Sequence, residues 1–190
     1  MGWIFLILLS LGILVYTLDP TFGLKCVSSS VDGNTYCVRE RPKLEMAADL
    51  LAKITTRCKN LVVYCGKQYP NDATVRRLVT QFNPTRISET LPSSEHTAYS
   101  ENKGERIAFC LNTQKNGDKL VDVNTLTFVA IHELAHVMTV STGHTEEFWK
   151  NFKFLITNAK AIGAYTPVDY KKAPQPYCGM NINDNPYFDM

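Results

Sequence analysis

The string His132-Glu133-Leu134-Ala135-His136 limits what this chain can fold into more than any other feature. Positions i and i+4 project from one face of a helix, so the two imidazoles can meet one ion only if this segment is helical. Glu133 follows the first histidine directly, close enough to act on a metal-bound water without ligating the metal. Three of the chain's four histidines lie between residues 132 and 144. His144 would complete a three-nitrogen zinc set with one position left open, which separates a catalytic zinc from a structural one. The plainer alternative is a hydrogen-bonded histidine pair on a core helix.

The flanking sequence favours the metal reading. Thr125 to Ile131 is apolar and fits a buried helix, with Asn124 as its expected N-cap. Gly143 can end that helix and Thr145 can cap the next, which runs to about Ala161. Glu146 and Glu147 are rival third ligands, but they read better as first-turn acids facing a helix dipole. Tyr165 and Tyr170 are the candidate donors for an oxyanion, and Met180, in Cys178-Gly179-Met180, could lie below the metal. Packing roles are the ordinary alternative for all three.

Residues Gly2 to Leu18 carry no charge and are mostly apolar, at the lower limit for a membrane-spanning helix. A cleaved signal peptide would want a basic start and a small-x-small site, and neither is present. The reading is therefore an N-terminal anchor or signal segment over 1–19, anchor favoured, and one domain over 20–190. The membrane is then a partner through this helix. Lys25, Arg39, Arg41 and Lys43 follow it, which by the positive-inside rule puts the domain in the cytoplasm. The six cysteines argue for an oxidising side, since they are even in number and lack zinc-ribbon spacing. Cys26–Cys37, Cys110–Cys178 and Cys58–Cys65 are the expected pairs. With 20 basic and 18 acidic residues, the charge is too balanced to imply a nucleic-acid partner.

Along the chain, a hairpin is expected from Cys26 to Arg39, turning at Asp32-Gly33-Asn34. The spacing predicts a helix from Pro42 to about Cys58, a short strand over Leu61 to Cys65, and a helix capped by Asp72. Arg86 to Thr90 reads as a strand. Ala98 to Ser100 and Arg106 to Leu111 read as a hairpin around Lys103-Gly104. The tail after Gly163, rich in proline, should lie extended over the domain. This order gives an α+β fold: a small sheet packed on the H-E-x-x-H helix, with an N-terminal hydrophobic helix.

His132-Glu133-Leu134-Ala135-His136, a gap of seven residues, then Gly143-His144-Thr145-Glu146-Glu147-Phe148-Trp149 resembles the WLM and SprT-like zinc metallopeptidases. The resemblance covers about residues 106 to 150. It implies a minimal zincin-like fold, His132, His136 and His144 as zinc ligands, and Glu133 as the catalytic acid. It further implies a substrate-binding edge on the hairpin before the metal helix. The apolar leader joined to so small a domain also resembles metallopeptidases of large DNA viruses. The metzincin pattern is excluded, because Thr139 and Thr142 stand where its glycine and third histidine fall.

The expected function is a membrane-anchored zinc endopeptidase acting on a protein or peptide substrate, with Glu133 as general base. Two alternatives stay open: a non-catalytic, zinc-stabilised envelope or interaction protein, and a DNA–protein crosslink protease. The intact Glu133 favours an enzyme. The missing basic module weighs against the crosslink protease.

Overall fold

A computed structural model describes residues 23–189. The expected anchor, 1–19, lies outside the described residues. Among these, no helix is long and apolar enough to cross a membrane.

The described chain is α+β, with four α-helices and small sheets. Strands β1 (Lys25–Ser28) and β2 (Thr35–Val38) form the expected hairpin, with Cys26 opposite Cys37 in register and bridged to it. Helix α1 (Leu44–Gln68) and helix α2 (Ala73–Gln81) follow. Next come β3 (Ile87–Glu89), β4 (Ala98–Glu101) and β5 (Arg106–Phe109), in the order β3-β5-β4. β3 is parallel to β5, whereas β4 is antiparallel to it and forms an edge of the sheet. Helix α3 (Val123–Met138) carries the H-E-x-x-H string and helix α4 (Glu146–Ala161) follows it. The tail forms a second hairpin, β6 (Gln175–Tyr177) and β7 (Met180–Ile182), then a 3-10 turn at Pro186–Phe188.

α3 is the central element. Leu126, Ala130, Ile131, Leu134, Ala135 and Val137 are buried around it, and α1, α2, α4 and β4 pack against it. A helix that is apolar nearly all round belongs in the core, so the histidines are held by a fully packed scaffold. Its N-terminus is capped by Asp122, whose carboxylate accepts from the backbone N–H of Asn124 and Thr125, both at 2.9 Å. This corrects the expected Asn124 cap. Asn124 lies inside the first turn and instead exchanges hydrogen bonds with the backbone of Thr166. Asp72 caps α2 and Thr145 caps α4, as expected.

The expected strand over Leu61 to Cys65 does not form; α1 runs through it to Gln68. Leu61, Val62 and Cys65 continue the buried face begun by Leu51, Ile54 and Cys58. Burial along one continuous face overrides the strand preference of Val62 and Val63. Cys58 and Cys65 therefore sit two turns apart on one helix, about 10 Å along its axis, too far to bridge. Both are free and buried. The remaining expected pair, Cys110–Cys178, is formed and ties the end of β5 to the tail.

The β4–β5 turn is Asn102-Lys103-Gly104, all at positive φ. Here the glycine is a packing requirement. A Cβ on Gly104 would stand 2.8 Å from Val137 Cγ1 and 3.0 Å from the Gln81 carbonyl oxygen. Only a residue without a side chain lets this turn press on α3.

Candidate active site

His132 and His136 stand on successive turns of α3 and point to one side. The chain leaves α3 at Thr139, passes through Gly143 at φ +80°, and returns His144 to the same point before α4 begins. The Nε2 of His132 lies 3.2 Å from Nε2 of His136 and 3.1 Å from Nε2 of His144. All three ligand atoms lie within 4.8 Å of one another. Ligands bonded to a tetrahedral zinc at about 2.0–2.1 Å stand about 3.3 Å apart, so the nitrogen spacing suits zinc.

The electrostatics suit it as well. Burial, then the neighbouring His136 and His144, pushes His132 down to about 3. Burial, then His144 and Lys103, pushes His136 down to about 4. Both imidazoles are therefore neutral at neutral pH, the form that ligates a metal.

Glu133 is buried beside them, and burial alone lifts its carboxyl to about 8. Among the described residues its side chain makes no hydrogen bond. A buried carboxylate in use as a structural brace would be satisfied by partners. Glu133 instead faces a cleft of about 770 Å³ that the three histidines also line. The edge strand β4 lines the cleft, and so does the tail, through Tyr177, Met180 and Ile182.

The remaining candidates sort clearly. Tyr165 and Tyr170 are buried against Phe128, their hydroxyls 3.4 Å apart, and neither lines the cleft. They are removed as oxyanion donors, because their rings fill the core behind α3. Glu146 is exposed outside the histidine cluster. Glu147 is not a third ligand either: its carboxylate accepts from the Val140 and Ser141 backbone N–H at 3.0 and 3.2 Å. Met180 lines the cleft. Sequence reasoning missed Tyr177, which lines the cleft and donates its hydroxyl to the Thr97 carbonyl oxygen at 3.0 Å. Burial and the nearby Glu133 push its phenol upward. The available signal was its position beside Cys178, whose bridge to Cys110 brings the tail to the sheet.

The WLM domain pattern matches residues 75–185, which contain α3, β4, β5 and the tail hairpin. The chain belongs to the WLM family. The chain is similar to an uncharacterised protein of Acanthamoeba polyphaga mimivirus, 33% identical over 163 residues, covering 84% of this chain and 82% of that one. Another uncharacterised protein, from Invertebrate iridescent virus 6, is 37% identical over 75 residues, covering 39% of this chain and 41% of that one. The crystal structure of Wss1 from Saccharomyces cerevisiae is similar with a TM-score of 0.46 at 19% identity, covering 65% of this chain and 84% of that one. WLM is a zinc-dependent protease family.

Proposed function

We propose that this WLM chain is a zinc-dependent endopeptidase in which His132, His136 and His144 hold the metal and Glu133 moves the proton. One observation carries the reading. A buried carboxylate without a structural partner opens into the same cleft as three converging imidazole nitrogens. A non-catalytic zinc site has no use for that carboxylate.

Zinc, when bound, supplies Lewis acidity to water and to the scissile carbonyl. Glu133 Oε takes the proton of the attacking water and returns it to the leaving nitrogen. The C–N bond breaks as a C–O bond forms, and the products are a carboxylate and an amine. Glu133 must be ionised to begin, and a cation held by the imidazoles draws its raised pKa back down.

The outer edge of β4 is free of strand partners among the described residues. An extended peptide can add to such an edge by backbone hydrogen bonds, which is sequence-tolerant. The other charged residues lining the cleft, Lys103 and Asp184, are already engaged. Lys103 donates to backbone carbonyls and Asp184 pairs with Lys171 at 3.1 Å. Lys103 is committed to the loop carbonyls, so among the described residues no lysine or arginine of the cleft is dedicated to a terminal carboxylate, which supports cleavage within a chain.

The apolar run Gly2–Leu18 supports a membrane-anchored enzyme, and the two disulfides support a domain on an oxidising side. The test uses the zinc-loaded full chain on an unfolded protein substrate. Glu133→Gln should keep its zinc and lose turnover by about 10²–10⁴-fold. Undiminished cleavage by that variant would sink the mechanism.

A further inference from the structure

The cleft is chemically asymmetric along α3. At the C-terminal end of the helix it is polar, lined by Ser100, Asn102, Lys103 and Thr142. At the other end it is apolar. Phe128 lies one turn before His132, about 6 Å along the axis, and the cleft also touches Val129 there. The ring of Phe152 stands 5.1 Å from that of Phe128 and 5.2 Å from that of His132. Trp149 continues the aromatic surface, 6.2 Å from Phe152 and 5.7 Å from His144. Met180, Ile182 and Pro186 of the tail complete the apolar lining.

Two of these residues are exposed although they are large and apolar: Met180 at 52% and Trp149 at 45%. Aromatic and methionine surface left open in a concave site is characteristic of ligand pockets. Glu133 and His132 sit at one end of this lining, so a group bound there lies next to the reacting atoms. The tail also brings Asn181, Asn183 and Asp184 to the cleft, with Asp184 paired to Lys171, so the apolar surface is the part contributed by Phe128, Val129, Trp149 and Phe152 together with Met180, Ile182 and Pro186. A polar substrate side chain set against the Phe128, Phe152 and Trp149 rings would lose water there without gaining a hydrogen bond from them.

We infer that the apolar end of the cleft is a specificity pocket for a large apolar side chain adjacent to the scissile bond. Three of its seven apolar residues, Met180, Ile182 and Pro186, come from the tail rather than from α3 and α4. The inference rests on the endopeptidase reading for the position of the scissile bond, and it names the substrate class: polypeptides with exposed Phe, Leu or similar residues. Such residues are exposed mainly in unfolded or nascent chains.

The test measures binding apart from cleavage. Zinc-loaded full-length Glu133→Gln is titrated into fluorescent, end-blocked peptides identical except for one central residue: Phe, Leu, Ser or Asp. The Phe and Leu peptides should bind about ten-fold tighter or more, the worth of burying one such side chain. Met180→Asp and Trp149→Ser, both at exposed positions, should each shrink that preference several-fold. Affinities within about two-fold across the set, no binding to any peptide, or a preference untouched by both substitutions would each overturn the pocket. The chain without the Glu133 substitution then acts on the same peptides. Cleavage of all four alike keeps the protease and rejects the pocket. Selective binding without any cleavage keeps the pocket and rejects the protease.

Discussion

Lys103 Nζ donates to the Ser141 carbonyl oxygen at 2.8 Å and to that of Thr139 at 3.0 Å. The β4–β5 turn thereby holds the loop that carries His144. Glu147 holds the same loop from α4, through the Val140 and Ser141 backbone N–H and the Ser141 hydroxyl. His144 itself is exposed, its ring resting on Phe148 and Trp149, and this clamp fixes the backbone that presents it.

Lys103→Met keeps most of the side chain's bulk and removes both donors. Zinc affinity, measured by competition with a chelator, should fall about ten-fold, typical of losing an interaction that orients a ligand. Lys103→Arg, which can still donate, should recover part of it. Unchanged affinity in the methionine variant would mean that the loop is set by Glu147 and Gly143 alone.

The site was more legible in the sequence than the fold around it. The helical spacing of His132 and His136 is local, and Gly143 and Thr145 mark the turn that returns His144, so short-range rules reached all three. The second half of α1 was misread because Leu61-Val62-Val63 has strand composition, and only the buried partners beyond it decide the matter. The parallel pairing of β3 with β5 joins Ile87 to Ile107 across the β4 segment, a register no local pattern encodes. Tyr177 was missed because its role arises from contact with Thr97, distant in sequence.

Buried Glu89 faces two arginines. It accepts from the Arg39 backbone N–H at 2.7 Å and pairs with the guanidinium groups of Arg39 and Arg41. Arg39 also donates to the Thr90 and Lys115 carbonyl oxygens, so this cluster joins β2, β3 and the loop after β5. Glu89→Ala leaves two buried cations without their counter-ion. It should cost about 3–5 kcal/mol in denaturant unfolding. A loss under about 1 kcal/mol would show that water replaces the carboxylate.

Cys58 and Cys65 are buried thiols, and burial raises both to about 12. Denatured, unreduced protein should therefore yield two reactive thiols of the six cysteines. Folded protein should yield almost none near neutral pH, since the thiolate is the reacting form. The same shift has a stability consequence. The unfolded chain releases these protons near pH 9 and the folded chain near 12, so the contribution of the two thiols is intact below about pH 9. It should be lost as pH rises from there towards 12, and Cys58→Ala should flatten that decline in unfolding melts.

The Cys110–Cys178 bridge spans 68 residues and fastens the tail wall of the cleft to β5. In the chain-entropy account, a loop of that length contributes about 4 kcal/mol by restricting the unfolded chain. Two backbone bonds reinforce the junction, from Cys178 N–H to the Asn112 carbonyl at 2.8 Å and from Gly179 N–H to that of Thr113 at 2.9 Å. Cys178→Ala should lower stability by about 2–4 kcal/mol. It should also expose the segment after Ala173 to limited proteolysis. Zinc content should be unchanged, because His132, His136 and His144 lie on α3 and the loop that follows it. Peptide affinity should fall, because Tyr177, Met180 and Ile182 would no longer be fixed in the lining of the cleft. A variant with a protected tail and undiminished peptide binding would assign the wall to other contacts, chiefly Asn185, whose side chain donates to the Tyr165 hydroxyl and the Val168 carbonyl oxygen at 3.1 and 2.9 Å.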